Sequence, residues 1–329
     1  MVQKRNSHYI TSYNVKGLQS PIKRKIILGQ LKSFNCHIAF LQETHLSDVE
    51  HDKLKRSWAQ QVFYSSHKSG RKRGVAILVH RQINFTPLTT YRDPHGRYIL
   101  VNGSIDGVLV SLINIYAPNE DEPKFIHTIS NLVFQKGSGV LLLGGDFNCV
   151  LSPYMDKQPS SKSHASQMSK ALKHLTTELG LIDVWRNRFP RVRDYTFYSH
   201  GHASYSRIDF FFTSKTEEHR IDSIEILPIT LSDYAPLSLS WDLGLTPNLK
   251  RWRLNASLLN DSQFCEFIHT ELNTYLELNT TPKISPLTLW DCAMAYIRGR
   301  IISFASARKK RKEARRCELE AKIKHLEQQ

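Results

Sequence analysis

Five apolar runs in this chain each end in a side chain that can bind a cation or handle a proton. They are "SYN" with Asn14, "FLQE" with Glu43, "INIY" with Tyr116, "GGDFN" with Asp146 and Asn148, and "LSD" with Asp233. Polar groups buried at strand ends are costly unless they hydrogen-bond or bind an ion, so repeated delivery to strand ends predicts one shared site. Carboxylates and amide carbonyls suit a hard cation, Mg²⁺ or Mn²⁺ in its place. Glu43 with Asn14 could hold such an ion. Asp146 and Asn148, two apart on a turn, could aim and deprotonate a water at phosphorus. Taken singly, each residue has an ordinary explanation: Asn14 and Asn148 as turn residues, Tyr116 as a half-buried aromatic, and Arg207 with Asp209 as a surface ion pair. Only their joint occurrence raises the functional reading.

The elements that must position these residues are short. "HYITSYN", "CHIAFLQE", "GVAILVH", "RYILVNGSI", "GVLVSLINIY", "GVLLLGGDFN", "YSRIDFFFTS", "IEILPITLSD" and "APLSLSW" have the length and β-branched or aromatic content of strands. Helices are expected at Pro21 to Ser33, Pro123 to Gln135 and Ala165 to Leu179. Hairpins mixed with helical crossovers predict two packed sheets with helices outside, an α/β sandwich. Strand signals stop after Trp241, giving a domain over 1–242, a linker over 243–260 with the Gly and Pro of "DLGLTPNLK", and a basic helical extension over 261–329. That extension holds two apolar helices, Ser262 to Leu278 and one starting at Ser285-Pro286, the second running into "RKKRKEARR".

Lys and Arg outnumber Asp and Glu by 45 to 30, a formal charge of +15. Both parts of the chain are basic, which suits a polyanion, either nucleic acid or an anionic membrane surface. The five cysteines are odd in number, scattered and without a CxxC pair, which argues against a disulfide framework and a structural zinc site. "MVQKRNSHYI" lacks the apolar core of a signal peptide and no apolar run approaches a bilayer span, so a soluble nuclear or cytoplasmic protein, not secreted and not in a membrane, is expected. From Arg308 to Arg316 seven basic residues face one Glu. This run is a solvated helix face, a nucleic-acid contact or an import signal. "HKSGRKRG" is an exposed hairpin tip or a phosphate-contacting loop, and Arg97 in "DPHGRY" is read as structural.

The chain resembles the endonuclease/exonuclease/phosphatase superfamily of metal-dependent phosphodiesterases, and within it the endonuclease of LINE-type, non-LTR retrotransposons. The likeness rests on "SYNVKGLQSPIKR", "LQETHL", "INIYAPN", "LLLGGDFN", "DVWR", "YTFYS", "SRIDFFFTS" and "SDYAPL", in family order over residues 8 to 242. The tail resembles the segment leading from such an endonuclease to a reverse transcriptase, so the chain is expected to be an element protein truncated before that enzyme. The resemblance implies a four-layer sandwich and a monomer that nicks duplex DNA with Mg²⁺ to leave a 3′ hydroxyl, with RNA as a further partner of the basic tail. It makes Asn14, Glu43 and Asp233 metal-site residues and Tyr116 a hydrogen-bond donor near the scissile phosphate. Asp146 and Asn148 then handle the water, and Thr196, Arg207 and Ser232 line the DNA-facing site.

In the family, Asp209 orients a histidine that follows the motif aspartate, here Asp233. This chain has Tyr234 at that position. A histidine can be cationic near neutral pH, whereas a phenol with a pKa of about 10 stays neutral and offers one hydrogen bond. The expectation is an intact fold with impaired nicking. The rival readings are a catalytically inactive nucleic-acid-binding relic and a phosphatase on the same fold, the latter disfavoured by "SRID" and "LQETHL".

Overall fold

The structure, a computed structural model, describes residues 7–55, 58–159, 165–244, 254–281 and 284–327. The chain divides into two compact units, Met1–Pro247 and Asn248–Gln329.

Two six-stranded sheets carry the first unit. One runs in the order Ile221–Ile226, Leu237–Trp241, His8–Asn14, Ile38–Gln42, Val75–His80 and Ala59–Ser65. The other runs Leu181–Asp183, Asp209–Ser214, Val140–Asp146, Val108–Tyr116, Tyr98–Ile105 and Phe85–Arg92. A short third sheet joins Phe197–Ser199, Ser204–Ser206 and Lys157–Gln158.

One pair in each large sheet is parallel: His8–Asn14 with Ile38–Gln42, and Val108–Tyr116 with Val140–Asp146. Parallel neighbours need a crossover, which the helices Pro21–Ser33 and Pro123–Lys136 supply. Parallel strands also end side by side, so Asn14 lies beside Gln42 and Tyr116 beside Asp146. The first helix begins as the Ser-Pro signal predicts, with the Ser20 hydroxyl accepting from Lys23 N and Pro21 opening the first turn.

Between the sheets Phe40, Ile77, Leu112, Leu142 and Phe211 are fully buried, and the rings of Phe40 and Phe211 meet edge to face at 5.8 Å. Each such side chain contributes on the order of 1.5–3 kcal/mol by leaving water. The helix Pro21–Ser33 covers the outer face of the first sheet with Ile27 and Leu31. The helices Pro123–Lys136 and Gln167–Glu178 cover the second with Ile126, Ile129, Leu172 and Leu175. The layers are therefore helix, sheet, sheet, helix, the four-layer sandwich.

A buried polar bridge crosses the core below the strand ends. Gln42 Nε2 donates to Asn114 Oδ1 at 2.7 Å and to Ser12 Oγ at 3.0 Å, while Asn114 Nδ2 donates to the carbonyls of Leu41 and Ala76, each at 2.9 Å. The network leaves Gln42 Oε1 buried without a partner, yet it fixes the register of the two sheets, because a slip would strand several more buried amide groups.

Some elements differ from the sequence reading. The edge strands Ala59–Ser65 and Phe85–Arg92 carry Gln, Thr and Pro on exposed positions and give little apolar signal. "IEILPITLSD" is a strand only to Ile226. Pro228 interrupts it, so Asp233 reaches the site from a loop rather than a strand tip. "YSRIDFFFTS" breaks at Arg207 and Ile208 into two strands of different sheets.

In the second unit Ala256–Asn260 forms a short 3₁₀ helix where a linker was expected, although much of that stretch lies outside the described residues. Ser262–Asn279 and Pro286–Glu327 are helices that pack through Leu258, Phe264, Ile268, Leu272, Ile297, Ile301 and Phe304. Arg315 and Lys322 pair with Glu318, and Arg316 with Glu313 and Glu320, so part of the basic run braces its own helix. All five cysteines are free, and among the described residues no helix is long and apolar enough to cross a membrane.

Candidate active site

The two parallel strand pairs present Asn14, Glu43, Tyr116 and Asp146 to one place. Asn14 Nδ2 donates to Glu43 Oε1 and to Asp146 Oδ2, both at 2.9 Å, so one amide from the first sheet ties together carboxylates from both. The Tyr116 hydroxyl hydrogen-bonds Glu43 from the second sheet. Asp146 Oδ1 accepts from Asn148 N at 2.9 Å, and Asn148 Nδ2 donates to the Ala117 carbonyl at 2.8 Å.

The backbone here takes forms most residues avoid. Glu43, His45, Lys16 and Asn148 all have positive φ, between 47° and 54°, and such residues concentrate where the surroundings dictate the geometry. Gly145 is required: its φ is +134°, and a Cβ there would lie 2.0 Å from the Ile115 carbonyl oxygen. Gly145 thus allows the strand carrying Asp146 to run close beside that carrying Tyr116, while Gly144 leaves room for the Phe211 ring, which a Cβ there would meet at 2.5 Å.

Electrostatics follow from burial. Burial drives the Asp146 carboxyl well above the usual carboxylate range, the Glu43 charge adding to it, although Asn14, Asn148 and the Tyr234 hydroxyl hydrogen-bond to it. Burial and the facing Asp146 raise Asp209 likewise. Burial raises Glu43 too, but hydrogen bonds from His45, Asn14 and Tyr116 outweigh it and leave this carboxyl below its ordinary value, charged at neutral pH. The phenols of Tyr116 and Tyr234 are pushed up by burial and by neighbouring carboxylates, so both stay protonated donors.

Tyr234 is buried, its ring tilted on that of Phe197 at 4.7 Å, and it forms an isolated bridge with the Phe197 backbone. Its hydroxyl turns to Asp146. Asp209 Oδ2 is buried with no hydrogen-bond partner. The carboxylate that the family resemblance assigns to orient an imidazole is therefore left with an unused oxygen.

Asp233 is at the rim, 27% exposed at its side chain, where it pairs with Lys16 Nζ. His200 Nε2 stands 3.9 Å from its other oxygen.

Three residues expected to face DNA are turned inward instead. Arg207 is 1% exposed: its guanidinium donates to Asp156 Oδ1 at 3.0 Å and Asp183 Oδ2 at 2.7 Å, and it lies over the rings of Trp185 and Phe210. It is neither a surface pair with Asp209 nor an open cation. Thr196 is fully buried, its Oγ1 accepting from the backbone N–H groups of Ile208 and Asp209, each at 3.1 Å, so it fixes Asp209 from behind. Ser232 is half-buried and buries its Oγ without a partner.

Two neighbours of the site were not assigned to it from the sequence: His45, and Arg97, which was read as structural. His45 Nε2 is 3.2 Å from Glu43 Oε2. Arg97 is beside the site, its guanidinium 5.4 Å above the Tyr116 ring and its carbonyl accepting from Tyr116 N at 2.7 Å. Burial and Arg73 depress the Arg97 pKa, and Lys72, Arg73, His95 and Arg97 all act to depress His67, whose largest cause is desolvation. The loops carrying them therefore gather positive charge at one edge. The available signal was the run "HKSGRKRG" taken together with "HGR". A groove of about 310 Å³ opens beside Asn148, lined among others by Asp121, Cys149, Lys157, Phe197 and Ile208.

The donor set fits a hard cation. Glu43 is ionised, and burial raises Asp146 and Asp209, with the Glu43 charge adding to both; a divalent ion placed there would favour the charged form of each carboxyl. Among the described residues no three His, Cys, Asp or Glu side chains converge as a ready metal cluster. An ion would rest on Glu43, the Asn14 amide and water, and Asn14 would have to turn its oxygen inward, since Oδ1 now accepts from Lys16 N at 3.1 Å.

Residues 11–233 match the family described as Endonuclease/Exonuclease/phosphatase. The chain is 28% identical over 267 residues to the transposon TX1 uncharacterized 149 kDa protein of Xenopus laevis, covering 79% of this chain and 20% of that protein. It thus spans about a fifth of the length of that relative. The endonuclease domain of TRAS1, a telomere-specific non-LTR retrotransposon, superposes with a TM-score of 0.54 at 17% identity, covering 72% of this chain and 99% of that one. The 3′ phosphatase NExo from Neisseria, solved bound to a product DNA hairpin, gives 0.58 at 21% identity over 71% and 99%.

Proposed function

From a chain that belongs to the Endonuclease/Exonuclease/phosphatase family, we propose a Mg²⁺-dependent phosphodiesterase that nicks duplex DNA and leaves a 3′ hydroxyl, impaired by Tyr234. The observation that carries this reading is the Asn14 amide joining Glu43 and Asp146 from separate sheets. Asp146, fixed by Asn14 and Asn148, holds the water that attacks phosphorus and takes its proton, for which a carboxyl raised towards neutrality is suited. Tyr116 donates to a phosphate oxygen from beside Glu43, and the basic loops with Arg97 draw in the DNA backbone. A divalent ion on Glu43 and Asn14 would supply positive charge where it builds on the leaving oxygen.

Tyr234 weakens this machinery in two ways. A neutral phenol cannot offset phosphate charge, and its hydrogen bond occupies Asp146, the group that must handle the water. A positioned acid–base group is worth roughly 10²- to 10⁴-fold in rate, so turnover is low while DNA binding persists. The second reading, a nucleic-acid-binding relic, is favoured by the unpartnered Asp209 Oδ2. In either case the chain acts as a monomer on duplex DNA, with the exposed Lys309, Lys310, Arg311 and Lys312 of the basic run offering an RNA contact.

The test is incubation of intact, covalently closed duplex DNA with Mg²⁺ and with EDTA, followed by extension with a DNA polymerase, and a separate assay on a panel of phosphomonoesters. Extendable ends that appear only with Mg²⁺ and vanish in Glu43→Ala support the reading. Phosphate release from the panel without strand scission would move the assignment to a phosphatase.

A further inference from the structure

Replacing a family histidine by Tyr234 removes a cation from the site, yet a different cation already stands at its rim. The Lys16 ammonium pairs with Asp233, the residue immediately before Tyr234. Resting on the nuclease reading above, we propose that Lys16 is the residue that meets the scissile phosphate in this chain, taking over the charge that residue 234 cannot supply.

The root of Lys16 is fixed. Its own N–H donates to Asn14 Oδ1 at 3.1 Å, its φ is 47°, and the next two residues are pinned to the turn of Glu43: Gly17 N donates to the Glu43 carbonyl at 2.7 Å and Leu18 N to that of Thr44 at 2.8 Å. The Lys16 Cα therefore moves with Asn14 and Glu43, the proposed ion site. The far end is free to change partner. Its side chain is 57% exposed, and its pair with the 27% exposed Asp233 is solvent-screened. A phosphate diester oxygen brings a charge of the same sign as Asp233, together with further phosphates along the strand, so exchange of Lys16 from carboxylate to phosphate is favourable on DNA binding.

A second lysine supports the arrangement. Lys23 Nζ donates to the Lys16 carbonyl at 3.0 Å from the helix Pro21–Ser33 and feels Lys16, Asp233 and Glu43 together. The two ammonium groups share one edge, and repulsion between them also favours an arriving anion. Lysine rather than arginine suits the position, because a compact ammonium on a flexible stem can leave one oxygen for another without a planar fork to reorient.

The experiment uses the full chain and a blunt DNA duplex of mixed sequence, with Ca²⁺ in place of Mg²⁺ so that binding is read without turnover. The slope of log affinity against log salt counts phosphate contacts. Lys16→Gln is expected to reduce that slope by about 0.9, one contact, and Lys16→Arg to keep it. In a parallel nicking assay with Mg²⁺, Lys16→Gln should lower the rate by about 10²-fold, and by under about tenfold in a Tyr234→His background, where an imidazolium shares the work. An unchanged slope in Lys16→Gln overturns the proposal even if nicking is intact. Equal slope losses in Lys16→Arg and Lys16→Gln overturn it too, since they mean a packing role. If no form nicks DNA but the slope falls as expected, the nuclease reading fails and the scissile-phosphate role of Lys16 fails with it, leaving a contact to the DNA backbone alone.

Discussion

Asp146 and Asp209 face each other as direct partners across antiparallel strands of the second sheet, both buried, and one oxygen of Asp209 has no hydrogen-bond partner. Two carboxyl groups so placed cannot both ionise cheaply, and each is raised above its ordinary range. A carboxyl raised in the folded state costs stability above its unfolded pKa and costs none in acid, where both states are protonated. Asp209→Asn should therefore stabilise the fold by about 1–3 kcal/mol at pH 8, with the gain shrinking towards zero below pH 4. Denaturant unfolding of both proteins across that range measures it.

His51 provides a second pH-dependent reporter. It is fully buried, stacked on Tyr64 at 4.7 Å, with its two ring nitrogens held by Thr44 Oγ1 at 2.8 Å and Ser66 Oγ at 2.9 Å. Burial pushes its pKa down to about 4. The unfolded chain binds this proton below about pH 6.5 and the folded one only near 4, so stability falls as pH drops through that window, by up to about 3 kcal/mol. In His51→Gln that component of the acid slope should disappear. Equal slopes in parent and variant would mean the ring is charged or accessible in the fold.

Arg207 separates a structural from a DNA-contacting role. Removing one member of its buried cluster with Asp156 and Asp183 leaves uncompensated charge, so Arg207→Ala should lose about 3–5 kcal/mol of stability. Because the guanidinium has no exposed surface, the salt dependence of DNA binding should not change at temperatures where the variant is folded. A slope reduced by one contact would restore it to the DNA interface.

The legible parts of this protein were those whose physics is local. The apolar runs ending at Asn14, Glu43, Tyr116 and Asp146 were visible because strand ends are read from alternating composition and the turn that follows. The Ser-Pro start at Pro21 needed only capping chemistry. What could not be read depended on partners far along the chain. Arg207 looks like a surface cation until Asp156 and Asp183 are brought to it. Thr196 looks like a ligand-facing hydroxyl until the backbone of Asp209 is placed beneath it. Asp233 seemed to end a strand, yet Pro228 had already stopped it. Lys16 was passed over and Arg97 read as structural because a lone basic residue in a turn has many exposed equivalents, and only folding sets one against Asp233 and the other over Tyr116.

The phenol of Tyr234 takes the place where an imidazole could be cationic and would leave Asp146 open to water. Nicking of supercoiled plasmid in Mg²⁺ by the parent chain, Tyr234→His and a Glu43→Ala blank measures this directly. The expected result is a gain of roughly 10²-fold or more in Tyr234→His over the parent, abolished when Glu43→Ala is added. A Tyr234→His protein that folds, binds DNA and nicks no faster than the parent would contradict it.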